Sequence, residues 1–163
     1  MIKVSQLPEP CWYKYEINSK IKVIFNGCDE VSMGNDEGNM AIVEGDTVLY
    51  NSNVQYHGWE EPIILDQRFM VVNYSRFITN TPAYSFALSL HIFDFENFTF
   101  TRLHEGRTLG AGGYIRLKNI DTKVEEQGIW VDGFYLEKGG ACWTPLAEAS
   151  CFDTCWGFVY DSY

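Results

Sequence analysis

The sequence predicts an all-β fold, mainly antiparallel, in which about ten strands form a sandwich or barrel and one C-terminal helix packs on it. Between Trp12 and Leu136 the chain repeats short runs in which every second residue is apolar, as in strands with one buried face. The composition includes 11 Phe, 10 Tyr and 5 Trp, and aromatic residues favour strands. After Thr144 the apolar spacing changes to three and four, which is typical of a helix.

The first two predicted strands face a common core. Residues 13–17 and 21–25 alternate between apolar and mainly charged side chains. A three-residue loop over 18–20 pairs Tyr15 with Val23 and keeps both apolar sets on one face, whereas a two-residue loop mixes core and solvent residues. We therefore predict the three-residue loop.

The chain then turns polar from Asn26 to Asn39, and its glycines and acidic residues predict a long acidic loop. Further short strands bounded by turn residues follow at residues 40–43, 47–50, 54–57, 63–65, 68–74, 84–95, 98–100, 114–118 and 129–136. In the longest of these, the apolar set changes phase inside the strand. This change predicts a β-bulge near Ile92–Phe93.

The end of the chain predicts a helix over 145–157. Thr144 has the side chain of an N-cap, and Pro145 suits the first helical position because that position needs no N–H donor. The stripe that includes Phe152 and Trp156 would pack this helix on the β domain. The whole chain, 1–163, is predicted to be a single domain.

The net charge of the chain indicates which kind of binding partner to expect. Asp and Glu number 22 against 12 Lys and Arg, which gives a formal net charge of −10. This charge repels phosphate backbones, so direct nucleic-acid binding is not expected, whereas it attracts a basic protein. The charge also favours solubility without any partner.

The cellular location is predicted to be cytoplasmic. The N-terminal residues lack the apolar run of a signal peptide, and no segment approaches the roughly 18 apolar residues of a membrane span. Five scattered cysteines make an odd count, which favours reduced thiols over a disulfide framework.

No catalytic, metal or cofactor signature stands out, so the chain is predicted not to be an enzyme. Cys142, Cys151 and Cys155 lack the second ligand pair that a zinc site needs and are interpreted as buried thiols. His91 and Asp94 lie in one strand without the context of a known triad, and His91 is expected to face solvent.

One loop resembles the centre of an interface. Gly58 and Pro62 bracket Trp59, Glu60 and Glu61, and a loop tryptophan beside acidic residues can act as an aromatic anchor with a charged rim. The alternative is that Trp59 folds back and caps the core.

The predicted partner-binding residues are these three and the four acidic residues of the polar loop, Asp29, Glu30, Asp36 and Glu37. The functional hypothesis is a cytoplasmic acidic binding protein that docks a basic protein partner, in the manner of inhibitors or bacterial immunity proteins. No residue motif assigns it to a family. The alternatives are a barrel that holds a small apolar or sugar ligand and, less favoured, a carboxylate-based hydrolase.

Overall fold

The fold is described from a computed structural model for residues 1–8, 10–32, 35–57, 60–78, 85–109 and 116–151. These residues form twelve strands in three antiparallel sheets, which confirms the predicted all-β class. None of the helices among them is long and apolar enough to cross a membrane.

The first sheet is an antiparallel meander with the strand order β1-β2-β3-β4. Its strands are β1 (Pro10–Glu16), β2 (Ile21–Ser32), β3 (Asn35–Glu44) and β4 (Thr47–His57). Tyr15 pairs with Val23, so the predicted three-residue loop is confirmed. The Asn18 side-chain oxygen fixes this loop by accepting hydrogen bonds from the backbone N–H groups of Lys20 and Ile21, each at 2.9 Å.

The central sheet has the order β12-β8-β7-β6-β5. Its strands are β5 (Ile63–Leu65), β6 (Phe69–Ile78), β7 (Ser85–Asp94), β8 (Thr99–Leu109) and β12 (Thr144–Pro145). The outer sheet has the order β11-β10-β9, with β9 (Thr122–Val124), β10 (Gly128–Val131) and β11 (Phe134–Glu137).

Three short 3₁₀ helices complete the described part of the chain, at Val4–Gln6, Leu117–Asn119 and Leu146–Cys151. The second of these replaces part of the strand that was predicted over 114–118.

The sheets are layered around two cores. Val23, Phe25 and Met40 of the first sheet pack with Met70 and Phe93 of the central sheet. The opposite face of the central sheet packs on the outer sheet, and this second core includes the following residues: Phe69, Val71, Leu90, Ile92, Ile129, Val131 and Leu136. The described strands therefore form a layered sandwich.

Burial on both faces of the central sheet explains one wrong prediction. Leu90 and Ile92 enter one core while Phe93 enters the other, and all three are fully buried. Strand β7 pairs with β6 in an unbroken register from Ser85 to Asp94. The predicted bulge near Ile92–Phe93 is therefore absent, because the continuous apolar run reflects two buried faces and not a change of phase.

Three other predictions of local structure were also wrong. Residues 47–50 and 54–57 are not two strands divided by a turn, because β4 runs from Thr47 to His57. The polar segment 26–39 is not a loop, because β2 and β3 continue their pairing through it to Ser32 and Asn35. The segment 129–136 is not one strand, because Asp132 and Gly133, both with positive φ, form the two-residue turn between β10 and β11. An Asp-Gly pair with positive φ at both positions is the pattern of a type I′ hairpin turn.

The predicted helix over 145–157 begins later than expected. Thr144 and Pro145 pair with Phe100 and Thr99 at the edge of the central sheet, where a proline is tolerated because one side of the strand is unpaired. The helix that follows is a 3₁₀ helix, Leu146–Cys151. Residues 152–157, with Phe152 and Trp156, lie outside the described part of the chain.

The cysteine prediction was wrong in two respects, the reduced state of Cys28 and the burial of Cys142. Cys28 on β2 is disulfide-bonded, while Cys142 is a free and exposed thiol. Because disulfides persist mainly in oxidising compartments, the cysteines give no support to the predicted cytoplasmic location.

Candidate functional site

The outer sheet carries an exposed aromatic surface on the side that faces away from the second core. Ile129 and Val131 are fully buried, and Trp130 between them points to the opposite side with 38% of its surface exposed. Cross-strand pairing places Lys123 and Tyr135 on either side of Trp130. We call Lys123, Trp130 and Tyr135 the aromatic face.

The two rings of the aromatic face lie against each other. Their centroids are 5.1 Å apart and their planes meet at 48°. The absence of a side chain at Gly128 makes room for Tyr135, since a Cβ atom there would lie 2.6 Å from Tyr135 Cζ and 2.7 Å from its hydroxyl oxygen. The sequence thus places the Tyr135 ring across the backbone of β10 next to Trp130.

A shallow cleft of about 350 Å³ adjoins Trp130. Its lining combines the indole ring with polar side chains and one glycine, namely Asp121, Thr122, Lys123, Glu125, Trp130 and Gly133. The Lys123 ammonium lies 3.3 Å from Glu125 Oε1, and both groups are accessible to solvent. The cleft therefore offers hydrogen-bond donors, hydrogen-bond acceptors and an aromatic surface together.

The four predicted acidic residues of β2 and β3 come together in the backbone register. Asp29 pairs with Glu37 and Glu30 pairs with Asp36, while Glu37 also pairs with His57 on β4. We call Asp29, Glu30, Asp36 and Glu37 the acidic arm. Sequence reasoning also grouped these residues, but it expected a loop where the structure has paired strands.

The predicted interface loop is only partly described. Trp59 lies outside the described residues, so its role as an anchor stays a prediction. The Glu60 carboxylate accepts hydrogen bonds from Asn73 Nδ2 at 2.7 Å and from the Leu117 backbone N–H at 2.8 Å. This carboxylate therefore joins β6 to the second 3₁₀ helix. Glu61 is exposed.

The expectation that His91 faces solvent was wrong, because this side chain is fully buried between the first and central sheets. Its Nδ1 lies 2.7 Å from the Tyr56 hydroxyl in a hydrogen bond, and its ring stacks on Tyr74 with centroids 4.4 Å apart. Burial, with a smaller contribution from the positive charge of Arg102, holds the pKa of His91 well below its usual value. The folded protein therefore contains a neutral imidazole in its core.

Asp94 does not join His91 in a catalytic pair. The two residues are three apart in one strand, so they lie on opposite faces of it. Arg68 donates two hydrogen bonds of 2.8 Å to the buried Asp94 carboxylate, which also accepts from the Glu96 backbone N–H and from Asn97 Nδ2. This carboxylate holds the β7–β8 turn against Arg68, and its position gives the hydrolase alternative no support.

No group of three or more potential metal ligands lies among the residues whose placement the structure describes.

Sequence analysis did not predict the aromatic face, although the sequence Gly-Ile-Trp-Val followed by Asp-Gly contains the pattern that could have predicted it. A tryptophan between two apolar strand residues lies on the opposite face, and the Asp-Gly turn returns Tyr135 beside it.

Comparison of the chain with protein-family models, with curated proteins and with solved structures gives no match. The surfaces described above are therefore the basis for a functional argument.

Proposed function

We propose that this chain is an acidic binding protein that docks a basic protein partner through the acidic arm. The observation that carries the proposal is the register of β2 and β3, which sets Asp29 opposite Glu37 and Glu30 opposite Asp36. Like charges directly opposite one another destabilise a strand pair. Lysine or arginine side chains of a partner would offset this repulsion.

The charge of the whole chain favours the same kind of partner. A net charge of −10 produces a negative potential that accelerates encounter with a basic protein and slows encounter with an acidic one. Glu61 adds an exposed carboxylate outside the arm. Burial raises the pKa of Tyr15 on β1 to about 12, and the negative charge of Glu61 makes a smaller contribution to this increase.

The contact energy is proposed to come from an aromatic anchor beside these charges. Trp59 follows β4 in the chain, and β4 ends at His57, whose backbone pairs with Glu37 of the acidic arm. An aromatic centre with a charged rim is the arrangement of an interface hot spot.

The test compares two double charge reversals of equal size. Asp36→Lys with Glu37→Lys changes the acidic arm, while Glu44→Lys with Glu148→Lys changes exposed residues elsewhere. Binding to a panel of purified basic proteins, nucleases included, is measured by surface plasmon resonance at low and physiological salt. We expect at least one basic protein to bind, and its association rate to fall about tenfold or more with the arm variant.

The control variant should keep the association rate within about twofold of the wild-type rate at physiological salt. An equal loss in both variants would show that only net charge matters, and it would contradict docking at the acidic arm. Failure of every basic protein in the panel to bind would also contradict the proposal. Glu60 is left unchanged in this test, because replacing it would break two hydrogen bonds of the fold.

A further inference from the structure

We propose that the aromatic face and its adjoining cleft form a separate binding site for a neutral saccharide. This site lies on the outer sheet and is formed by residues 121–135, whereas the acidic arm belongs to the first sheet. The proposal rests on the chemistry of the cleft and does not depend on the docking of a basic protein.

The first step concerns exposure and order. Trp130 and Tyr135 contribute little to the second core, yet their rings are held in contact and Gly128 leaves the space that the Tyr135 ring occupies. Both residues lie on strands of a hairpin closed by a tight turn, so neither ring depends on a long loop for its position. An ordered pair of exposed rings is a surface on which a ligand can stack without prior rearrangement.

The second step concerns the polar groups around the rings. Asp121 and Glu125 can accept hydrogen bonds, Lys123 can donate them, and Thr122 can do both. A purely apolar ligand could not form hydrogen bonds with these groups. A saccharide uses all of them, because each hydroxyl both donates and accepts, and its C–H groups carry partial positive charge toward the negative face of an aromatic ring.

The third step concerns charge. Two carboxylates line the cleft against one ammonium, and the whole chain is acidic, so an anionic ligand or a nucleic acid is disfavoured. A cationic ligand would meet Lys123, which the register places directly beside Trp130. A neutral ligand meets neither obstacle, and a cleft of about 350 Å³ is within the range of small-molecule sites.

The experiment uses the full-length protein on an array of neutral oligosaccharides built from glucose, galactose, mannose, xylose and N-acetylglucosamine. Any sugar that binds is then titrated by calorimetry against three variants, Trp130→Ala, Tyr135→Ala and Phe134→Ala. Phe134 is the matched control, because it is the most exposed of the three and belongs to the opposite face of β11.

We expect Trp130→Ala and Tyr135→Ala each to weaken sugar binding about tenfold. The Phe134→Ala variant should bind as the wild type does, and Asp121→Asn should weaken binding because an amide is a poorer acceptor for a hydroxyl group. Circular dichroism and thermal unfolding check that each variant is folded, which is expected because the replaced rings are exposed.

Two outcomes would overturn the proposal. The first is that no sugar on the array binds, and the second is that binding is equally strong without Trp130 and Tyr135. If a basic protein instead lost affinity when these two residues were replaced, the aromatic face would belong to the protein interface and the saccharide site would be refuted. Loss of basic-protein binding confined to the acidic-arm variant would leave the saccharide proposal unaffected, so the two proposals fail separately.

Discussion

The buried imidazole of His91 predicts that the protein loses stability as the pH falls below about 6.5. An unfolded histidine has a pKa near 6.5, while burial lowers the pKa of His91 well below that value in the folded state. Below pH 6.5 the unfolded chain therefore binds a proton that the folded chain does not bind. The free energy of unfolding then decreases by about 1.4 kcal/mol for each pH unit, until the pH reaches the folded-state pKa.

The perturbation that isolates this effect is His91→Asn, which keeps hydrogen-bonding capacity toward the Tyr56 hydroxyl but does not titrate. The smaller side chain costs about 1–3 kcal/mol at pH 8, because it leaves space in a fully packed core. That cost should shrink as the pH is lowered. Below pH 6.5 the wild type should lose up to about 1.4 kcal/mol of stability per pH unit that the variant does not lose.

Urea unfolding of the oxidised wild type and variant, followed by circular dichroism between pH 4.5 and 8, measures this difference. The other two histidines and all carboxylates are common to both proteins, so the comparison removes their contributions. A difference in unfolding free energy that stays constant across this range would refute the reasoning. It would mean that His91 takes up its proton equally well in the folded state.

Two further predictions concern the ion pair of the central sheet and the cysteines. Asp94→Ala should lower the free energy of unfolding by about 3 kcal/mol, because it leaves Arg68 without the carboxylate that accepts two of its hydrogen bonds. Glu96 also forms an ion pair with Arg68, but its side chain is largely exposed. Glu96→Ala should therefore lower the free energy of unfolding by less than about 1 kcal/mol. Urea unfolding of both variants checks this, and similar losses would contradict it. In the native protein a maleimide should modify Cys142 and leave Cys28 unmodified until a reductant is added. Peptide mass spectrometry before and after reduction measures this, and labelling of Cys28 without reductant would contradict the disulfide.

The sequence predicts the fold well where one face of a strand is buried and the other is exposed. The pairing of Tyr15 with Val23 follows from such alternation together with the length of the loop. The prediction fails where two sheets cover both faces, as at Leu90–Phe93, because every position is then buried and periodicity does not separate a buried face from an exposed one. Backbone pairing also extends through polar residues, and this is why the acidic arm was expected to be a loop.

The candidate sites depend on a different kind of information. The acidic residues of the arm could be grouped from composition and proximity in sequence. The hydrogen bonds of Glu60 and the burial of His91 could not be predicted in this way, because their partners Asn73, Leu117 and Tyr56 are supplied by other strands and by a 3₁₀ helix. Such contacts arise only when the sheets pack on one another.

The enclosed position of the central sheet determines how substitutions will be tolerated along the chain. In Phe69–Val72 and Leu90–Phe93 all side chains are fully buried, so replacement at any of these positions opens a void in one core or the other. A systematic mutational scan would therefore show uninterrupted sensitivity through both segments. In β10 only Trp130 is exposed and in β11 only Leu136 is buried, so the same scan would show tolerance at Trp130 and at Phe134, Tyr135 and Glu137.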